Sequence, residues 1–436
     1  MTRQTAAASA RPGLLRVLGR WDLLALVING IVGAGIFGLP AKVHALLGLY
    51  GLLAILVCAG VIGLVILCFA EVASRFNETG GPYVYASTAF GPFVGFLTGW
   101  LFWVARVAGG CAICSLLLQY IAYIDPALNQ GLGRAVTAAG IIGALVTINY
   151  FGIGIATMVA NGLTFGKLAA LLIFVTFGLM HINPAAFNDI PLPATARFAQ
   201  SVLLLTFAFV GWESVVVLAG EARNPQRDLP IALVGGVCAV AILYFFIQLV
   251  CIGTLPQLAA SERPIVDASR LFIGPAGATL ITIGAVLSMV GTLSVTMLTI
   301  SRMPYAMASA GQLPAWLAAV HPRYRTPHVA VLVSGVLVLG LTLSSSFVYL
   351  LTVSAISRLL VFAVGCASLP KLRRMPAVPP PCFAVPGGAL FPCAALLLIA
   401  WLLASSSWAE TFDVAMLSSL GAIFYAFGRR RARRMR

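Results

Sequence analysis

Charge is what this chain has least of. Charged residues make up 9% of its 436 positions and only 12 are acidic, while 61% are hydrophobic and the mean hydropathy is +1.02. A water-soluble domain of this length needs far more surface charge, so that class is excluded. Also missing are the short motifs of hydrolytic and nucleotide chemistry: there is no HExxH, no GxSxG and no phosphate-cradling loop. The four histidines (His44, His181, His321 and His328) are dispersed, and the nine cysteines are scattered, mostly within apolar runs. Cys111 and Cys114 share one helix face, but with no second ligand pair nearby they read as packing. No enzymatic activity, metal or cofactor is expected. No short apolar stretch with a cleavage site follows the N-terminal residues, so no removable signal peptide is expected either.

What the chain has instead is a succession of long apolar runs. About 20 such residues carry a helix across a bilayer core of roughly 30 Å. Spans are predicted near 21–46, 49–74, 91–124, 135–151, 155–181, 197–221, 230–254, 276–310, 328–345, 347–369, 389–404 and 411–428, giving an all-α integral membrane protein of twelve helices. The formal net charge of +15 follows this layout. Most of the 27 Lys and Arg lie in the two tails and in alternate loops; only Lys42, Arg134, Arg197, Arg263 and Arg270 fall in the opposite loops. By the positive-inside rule both termini are cytoplasmic, in a cell (inner or plasma) membrane. The C-terminal RRRARRMR then touches anionic lipid, and no nucleic-acid partner is expected.

Two spans depart from ordinary helix composition. The first, LLALVINGIVGAGIFGLP, carries glycines at 30, 33, 35 and 38 and a proline at 40. The sixth, LLLTFAFVGWESVVVLAGEARNP, carries Gly211 and then a mid-span carboxylate, Glu213. Glycine costs about 1 kcal/mol in a helix interior, and a carboxylate in a bilayer costs more. Spans one and six are corresponding members of two five-span halves, and paired Gly-interrupted spans point to an inverted-repeat transporter with discontinuous helices. Close packing at glycine is the alternative. The halves are 21–181 and 197–369, with a tail at 1–20, two additional helices at 389–428 and a basic tail at 429–436.

A broken helix exposes N–H groups where its second half starts and C=O groups where its first half ends. In an apolar interior these make an anion site and a cation site, which match the two charges of an α-amino acid. The amides of Gly33, Ala34 and Gly35 are assigned to the carboxylate, and the carbonyls near Ile31, Phe207 and Val210 to the ammonium. Three charged side chains fall within other spans. Lys167, in NGLTFGKLAALLIFV, is placed beside the first span as a coupling or gating group, or as an ammonium capping the broken-helix carbonyls. Arg106 either pairs with a carboxylate such as Glu213 or binds substrate, and Arg358 is unexplained. Glu213 organises the second break or acts as a gate-linked proton site. Of the nearby aromatics Phe37, Phe207, Phe209 and Trp212, Phe207 is the first choice for a gate over the ligand.

At these residues the chain resembles the amino acid–polyamine–organocation superfamily of transporters, which has the LeuT-type fold. The resemblance rests on GAGIF (Gly33 to Phe37) with GLP, on FAFVGWE with AGEARNPQRDLPIAL (Ala219 to Leu233), and on SRMPYAMASAGQLPAWLAAVHPRYRTPHVA (Ser301 to Ala330). It implies a 5+5 inverted repeat with broken first and sixth helices, working by alternating access. It also implies that Lys167 stands near the sodium position of related transporters, favouring proton-coupled symport or exchange, although Thr292 and Thr296 leave oxygen ligands for sodium. Ala105, Gly110 and Thr296 are implied to face the substrate side chain; being small or neutral, they favour a neutral amino acid, while Arg106 leaves an acidic one open. No cysteine lies in the loop after span three, so no obligate partner subunit is expected. The rival readings are a polyamine or organic cation carrier and an amino acid sensor without flux.

Overall fold

The computed structural model describes residues 14–122, 125–188, 195–344, 347–404 and 408–434. The described residues form helices joined by short turns, with one isolated β-bridge between Leu18 and Ala222. The helices are α1 (Arg20–Ile31), α2 (Gly35–Leu47), α3 (Gly51–Ala73), α4 (Pro82–Phe90), α5 (Pro92–Ile121), α6 (Gly131–Phe151), α7 (Ile153–Leu179) and α8 (Thr195–Ala208). They continue as α9 (Glu213–Val216), α10 (Pro225–Thr254), α11 (Pro264–Phe272), α12 (Pro275–Ser309), α13 (His328–Ser344), α14 (Phe347–Leu372), α15 (Leu390–Ala404) and α16 (Trp408–Arg434). Among the described residues, seven helical stretches are long and apolar enough to cross a membrane, α5, α7, α10 and α12 being four of them. Three shorter apolar stretches lie at His328–Ser344, Leu390–Ala404 and Phe412–Ala426.

The helices begin and end where the composition changes. Glycine or asparagine followed by proline opens α4, α5, α10 and α12, at Gly81-Pro82, Gly91-Pro92, Asn224-Pro225 and Gly274-Pro275. Proline at the first position needs no N–H partner and arrives with a helical φ. Two short helices, α4 and α11, lie in segments that apolar periodicity assigned to loops; each is only 9 residues long.

The expected first span is two pieces. α1 has 12 residues, a length of about 18 Å at 1.5 Å per residue, well short of a bilayer core. Its C-cap, Val32, has φ −73° and ψ 83°, which is not helical, and α2 starts at Gly35. The sixth span behaves alike. α8 stops at Ala208, Gly211 takes φ +120°, and the chain resumes as the single turn α9 and a 3-10 segment, Val217–Glu221.

The two interruptions touch backbone to backbone. A Cβ placed on Gly211 would lie 2.1 Å from the Gly30 carbonyl oxygen, and one on Gly30 would lie 2.7 Å from the Gly211 carbonyl oxygen. Only glycine permits this approach, and at Gly211 only glycine adopts the φ without strain. α1 also packs against α7, α10 and α12, and α5 packs against α12 and α14. The interrupted pair is thus enclosed by long unbroken helices.

Gly211→Ala is expected to lower stability by at least about 2 kcal/mol through strain and overlap. Gly38→Ala, where an added Cβ meets nothing within 4 Å, is expected to be neutral or slightly stabilising. Thermal unfolding of the two purified variants in detergent checks the contrast.

Candidate functional site

At the end of α1 the carbonyls that lost their helical donors have acquired side-chain donors. Lys167 on α7 is fully buried, and its Nζ donates to the Asn29 carbonyl (2.8 Å), to Asn29 Oδ1 (2.6 Å) and to the Val32 carbonyl (2.5 Å). All three ammonium hydrogens therefore have acceptors. From α12, Ser288 Oγ reaches the Val32 carbonyl at 2.7 Å, and Thr292 Oγ1 lies 3.0 Å from the Asn29 carbonyl and 2.9 Å from its own helix at Ser288. Tyr244 on α10 bridges both breaks: its hydroxyl is 3.2 Å from the Ile31 carbonyl and 3.1 Å from the Ala208 carbonyl.

Apolar surroundings explain this density of contacts. An unpaired buried carbonyl costs about 1–3 kcal/mol. Gly33 N–H bonds back to the Ile31 carbonyl at 2.8 Å, so Ile31 already accepts from Gly33 and lies within reach of Tyr244. The amides of Ala34 and Gly35 head α2, where helix geometry supplies no acceptor within the chain. Both residues are partly accessible, as is Val210.

The second break is held by its own carboxylate. Gly211 N–H, which in an unbroken helix would bond the Phe207 carbonyl, donates to Glu213 Oε2 at 2.7 Å. Phe207 contributes this backbone position; its side chain lies outside the described residues. Glu213 Oε1 faces two guanidinium groups, Arg106 Nη1 at 3.4 Å and Arg358 Nε at 3.3 Å. Arg106 Nη2 also donates to Thr296 Oγ1 at 2.6 Å.

The structure thus brings Arg106, Glu213 and Thr296 together and adds Arg358. Gly110 sits beside Thr296, an added Cβ being 3.1 Å from Thr296 Cγ2. Ala105 is buried, and its carbonyl accepts from Ser354 Oγ at 2.8 Å. Trp212 is fully buried, stacked on Phe362 (5.0 Å, 21°) and edge-on to Phe69 (5.0 Å, 80°), so its ring belongs to the packing between α3 and α14. Phe209 meets Tyr244 edge-on at 5.2 Å. The sequence reading missed Tyr244, Ser288 and the Asn29 side chain. A tyrosine or serine in a long apolar helix gives no periodic or compositional signal. Asn29 did offer one, as an amide next to Gly30 in an otherwise apolar run.

Below the breaks, the end of the molecule carrying the N-terminal segment is closed. Val17 N–H and Leu18 N–H both donate to the Glu221 carbonyl at 3.0 Å, and Arg223 N–H donates to the Leu18 carbonyl at 2.9 Å. The Glu221 carboxylate takes a bidentate pair from Arg302 on α12 (3.1 and 3.0 Å), with both side chains buried. Bidentate geometry makes this one of the stronger pairings available to the two groups. A surface cleft of about 530 Å³ at this end is lined by Arg16, Arg20, Arg223 and Arg227 and includes no residue of either break.

Comparison with known proteins agrees with this architecture. A family model described as amino acid permease matches residues 18–426. The chain is similar to the serine/threonine exchanger SteT of Bacillus subtilis (strain 168), 32% identical over 338 residues, covering 73% of this chain and 74% of that protein. It is also similar to a putative arginine/ornithine antiporter of the same organism, 29% identical over 390 residues, 80% of this chain and 82% of that one. An uncharacterized transporter of Mycobacterium tuberculosis (strain ATCC 25618 / H37Rv) is 32% identical over 364 residues, 81% and 80% of the two chains. With its apolar helices and a family match that runs nearly end to end, the chain is a multi-pass membrane protein belonging to the amino acid permease family of the amino acid–polyamine–organocation superfamily.

Proposed function

We propose that this protein is a sodium-independent amino acid exchanger that works by alternating access around the two helix breaks. The observation that carries the reading is the clamp of Lys167 on Asn29 and Val32. A sodium ion seeks a cluster of carbonyl and hydroxyl oxygens. Here the carbonyls of Asn29 and Val32, with Ser288 and Thr292 beside them, surround an ammonium that already supplies the positive charge. Exchange is favoured over other modes because relatives named as exchanger and antiporter cover most of the chain. Proton symport is the second reading, favoured by the full burial of an ionisable Lys167 between α1 and α7.

In the proposed complex the substrate carboxylate sits on the Ala34 and Gly35 amides, at the positive end of α2. Gly33 and Ile31 shape the turn beneath it, because the Gly33 amide and the Ile31 carbonyl already bond one another. The substrate ammonium then falls to the carbonyls at Phe207 and Val210, which the second break releases from helical pairing. Ala105 and Gly110 on α5 and Thr296 on α12 are small and uncharged, and Thr296 is tied to the second break through Arg106. With both termini assigned to the cytoplasm, the contacts around Glu221 form the gate on the cytoplasmic path. Arg302–Glu221 would open on the inward stroke while Lys167 holds α1 to α7.

Uptake of labelled amino acids into proteoliposomes tests the reading under three conditions: unlabelled amino acid inside, an inward proton gradient, or a sodium gradient. Stimulation by internal amino acid alone is the expected result. Stimulation by protons selects the second reading, and dependence on sodium overturns the proposed role of Lys167.

Lys167→Ala is expected to reduce exchange at least about tenfold, since a buried carbonyl left without its donor costs about 1–3 kcal/mol. Under the symport reading the same variant loses proton stimulation instead. An added Cβ at Gly35 would already lie 3.4 Å from Ala208 Cα, so Gly35→Val is expected to abolish substrate binding while membrane insertion persists. Wild-type uptake by that variant would exclude the break as the substrate site.

A further inference from the structure

The second break carries more positive charge than the chain itself neutralises. Arg106 and Arg358 converge on a single carboxylate, Glu213, and on the same oxygen of it, Oε1, at 3.4 and 3.3 Å. The other oxygen is committed to the Gly211 amide at 2.7 Å. The remaining contacts of the two guanidinium groups are with hydroxyls: Arg106 Nη2 with Thr296 Oγ1 (2.6 Å) and Arg358 Nη2 with Ser354 Oγ (3.1 Å). Neither hydroxyl carries charge. Among the described residues, Arg106 Nε and Arg358 Nε are buried and have no hydrogen-bond acceptor; Arg358 Nε approaches Glu213 without hydrogen-bonding geometry. Two cations and one anion thus lie together in the interior of a membrane protein, with donors left over.

The arrangement is built into the packing. Gly109 on α5 makes the space for Arg358, because a Cβ there would lie 3.2 Å from Arg358 Nη2 and 2.9 Å from Ser354 Oγ. Arg358 comes from α14 and Arg106 from α5, with Thr296 on α12 behind them. Arg106 and Glu213 are 4% and 0% exposed at the side chain, whereas Arg358 retains 11%. Arg358 is therefore the least buried member of the cluster. A desolvated, unmatched guanidinium is costly, and the cost is offset when an anion arrives there. Guanidinium groups recognise carboxylates with paired, directional bonds.

We propose that Arg106 and Arg358 form a subsite for a second carboxylate, so that the preferred substrates are acidic amino acids with an aspartate- or glutamate-like side chain. This deepens the exchange reading and rests on it. The α-carboxylate and α-ammonium are met by backbone groups of the two breaks, and the side-chain carboxylate completes the charge balance between the arginines. Ala105, Gly110 and Thr296 are small, uncharged and packed beside the arginines, an added Cβ on Gly110 already lying 3.1 Å from Thr296 Cγ2.

The test is counterflow in proteoliposomes loaded with L-serine, L-aspartate or L-glutamate, first with the wild-type protein and then with Arg358→Leu and Arg358→Lys. The wild type is expected to exchange the acidic amino acids with a kcat/KM above that for serine. Arg358→Leu is expected to lower the ratio of acidic to serine kcat/KM at least about 20-fold, as loss of one desolvated charge pair does, and Arg358→Lys to recover part of it. If the leucine variant is not recovered folded, inhibition of wild-type serine exchange by aspartate and glutamate still decides. Exchange of neutral amino acids with no transport of, or competition by, acidic ones overturns the subsite and leaves the exchanger standing. An equal loss for all substrates in the leucine variant assigns Arg358 to the scaffold and also overturns it. Absence of exchange with every amino acid is instead a failure of the exchange reading itself.

Discussion

A backbone carbonyl without a partner is the constraint on which the rest of this structure depends. In water, a helix that stops halfway is a loop. In the interior of a membrane protein it leaves several carbonyls and amides that must be satisfied from elsewhere. Here the carbonyls of Asn29, Ile31 and Val32 are met by Lys167, Ser288, Thr292, Tyr244 and the Gly33 amide, drawn from α7, α12, α10 and the turn itself. Those donors fix where the surrounding helices pass, and they leave the amides of α2 as the unspent polar groups of the first break.

The second break uses a different economy. One carboxylate, Glu213, takes the Gly211 amide on one oxygen and faces two arginines with the other. Charge placed there is costly unless it is paired. Lys167 and the Arg106–Glu213–Arg358 cluster lie on opposite sides of this division of labour. The first ties α1 to α7, and the second brings two guanidinium groups to one carboxylate. Far from both, Arg302–Glu221 and the N-terminal segment close one end with contacts that involve no substrate group.

Much of this was legible before any coordinates. Glycines at 30, 33, 35 and 211 and a carboxylate at 213 contradict an uninterrupted apolar helix, and the helices do stop at Ile31 and Ala208. Lys167 beside the first break was foreseen because an ammonium in an apolar span needs acceptors, and the broken helix supplies them. The short helices α4 and α11 were not foreseen, since nine residues bounded by proline leave little periodicity to read.

By itself, then, the sequence determined an all-helical membrane protein, its two interrupted helices and the ionisable residues buried near them, because each of these is a local conflict between composition and helix. Tertiary structure alone decided which groups meet. That Tyr244 spans both breaks, that Gly30 and Gly211 abut, and that Arg358 shares Glu213 with Arg106 depend on residues more than thirty positions apart, brought together by helix packing. A lone arginine or tyrosine in an apolar run announces that it needs a partner; only the packed bundle names the partner, because the choice is made by distance and by what else is left unsatisfied.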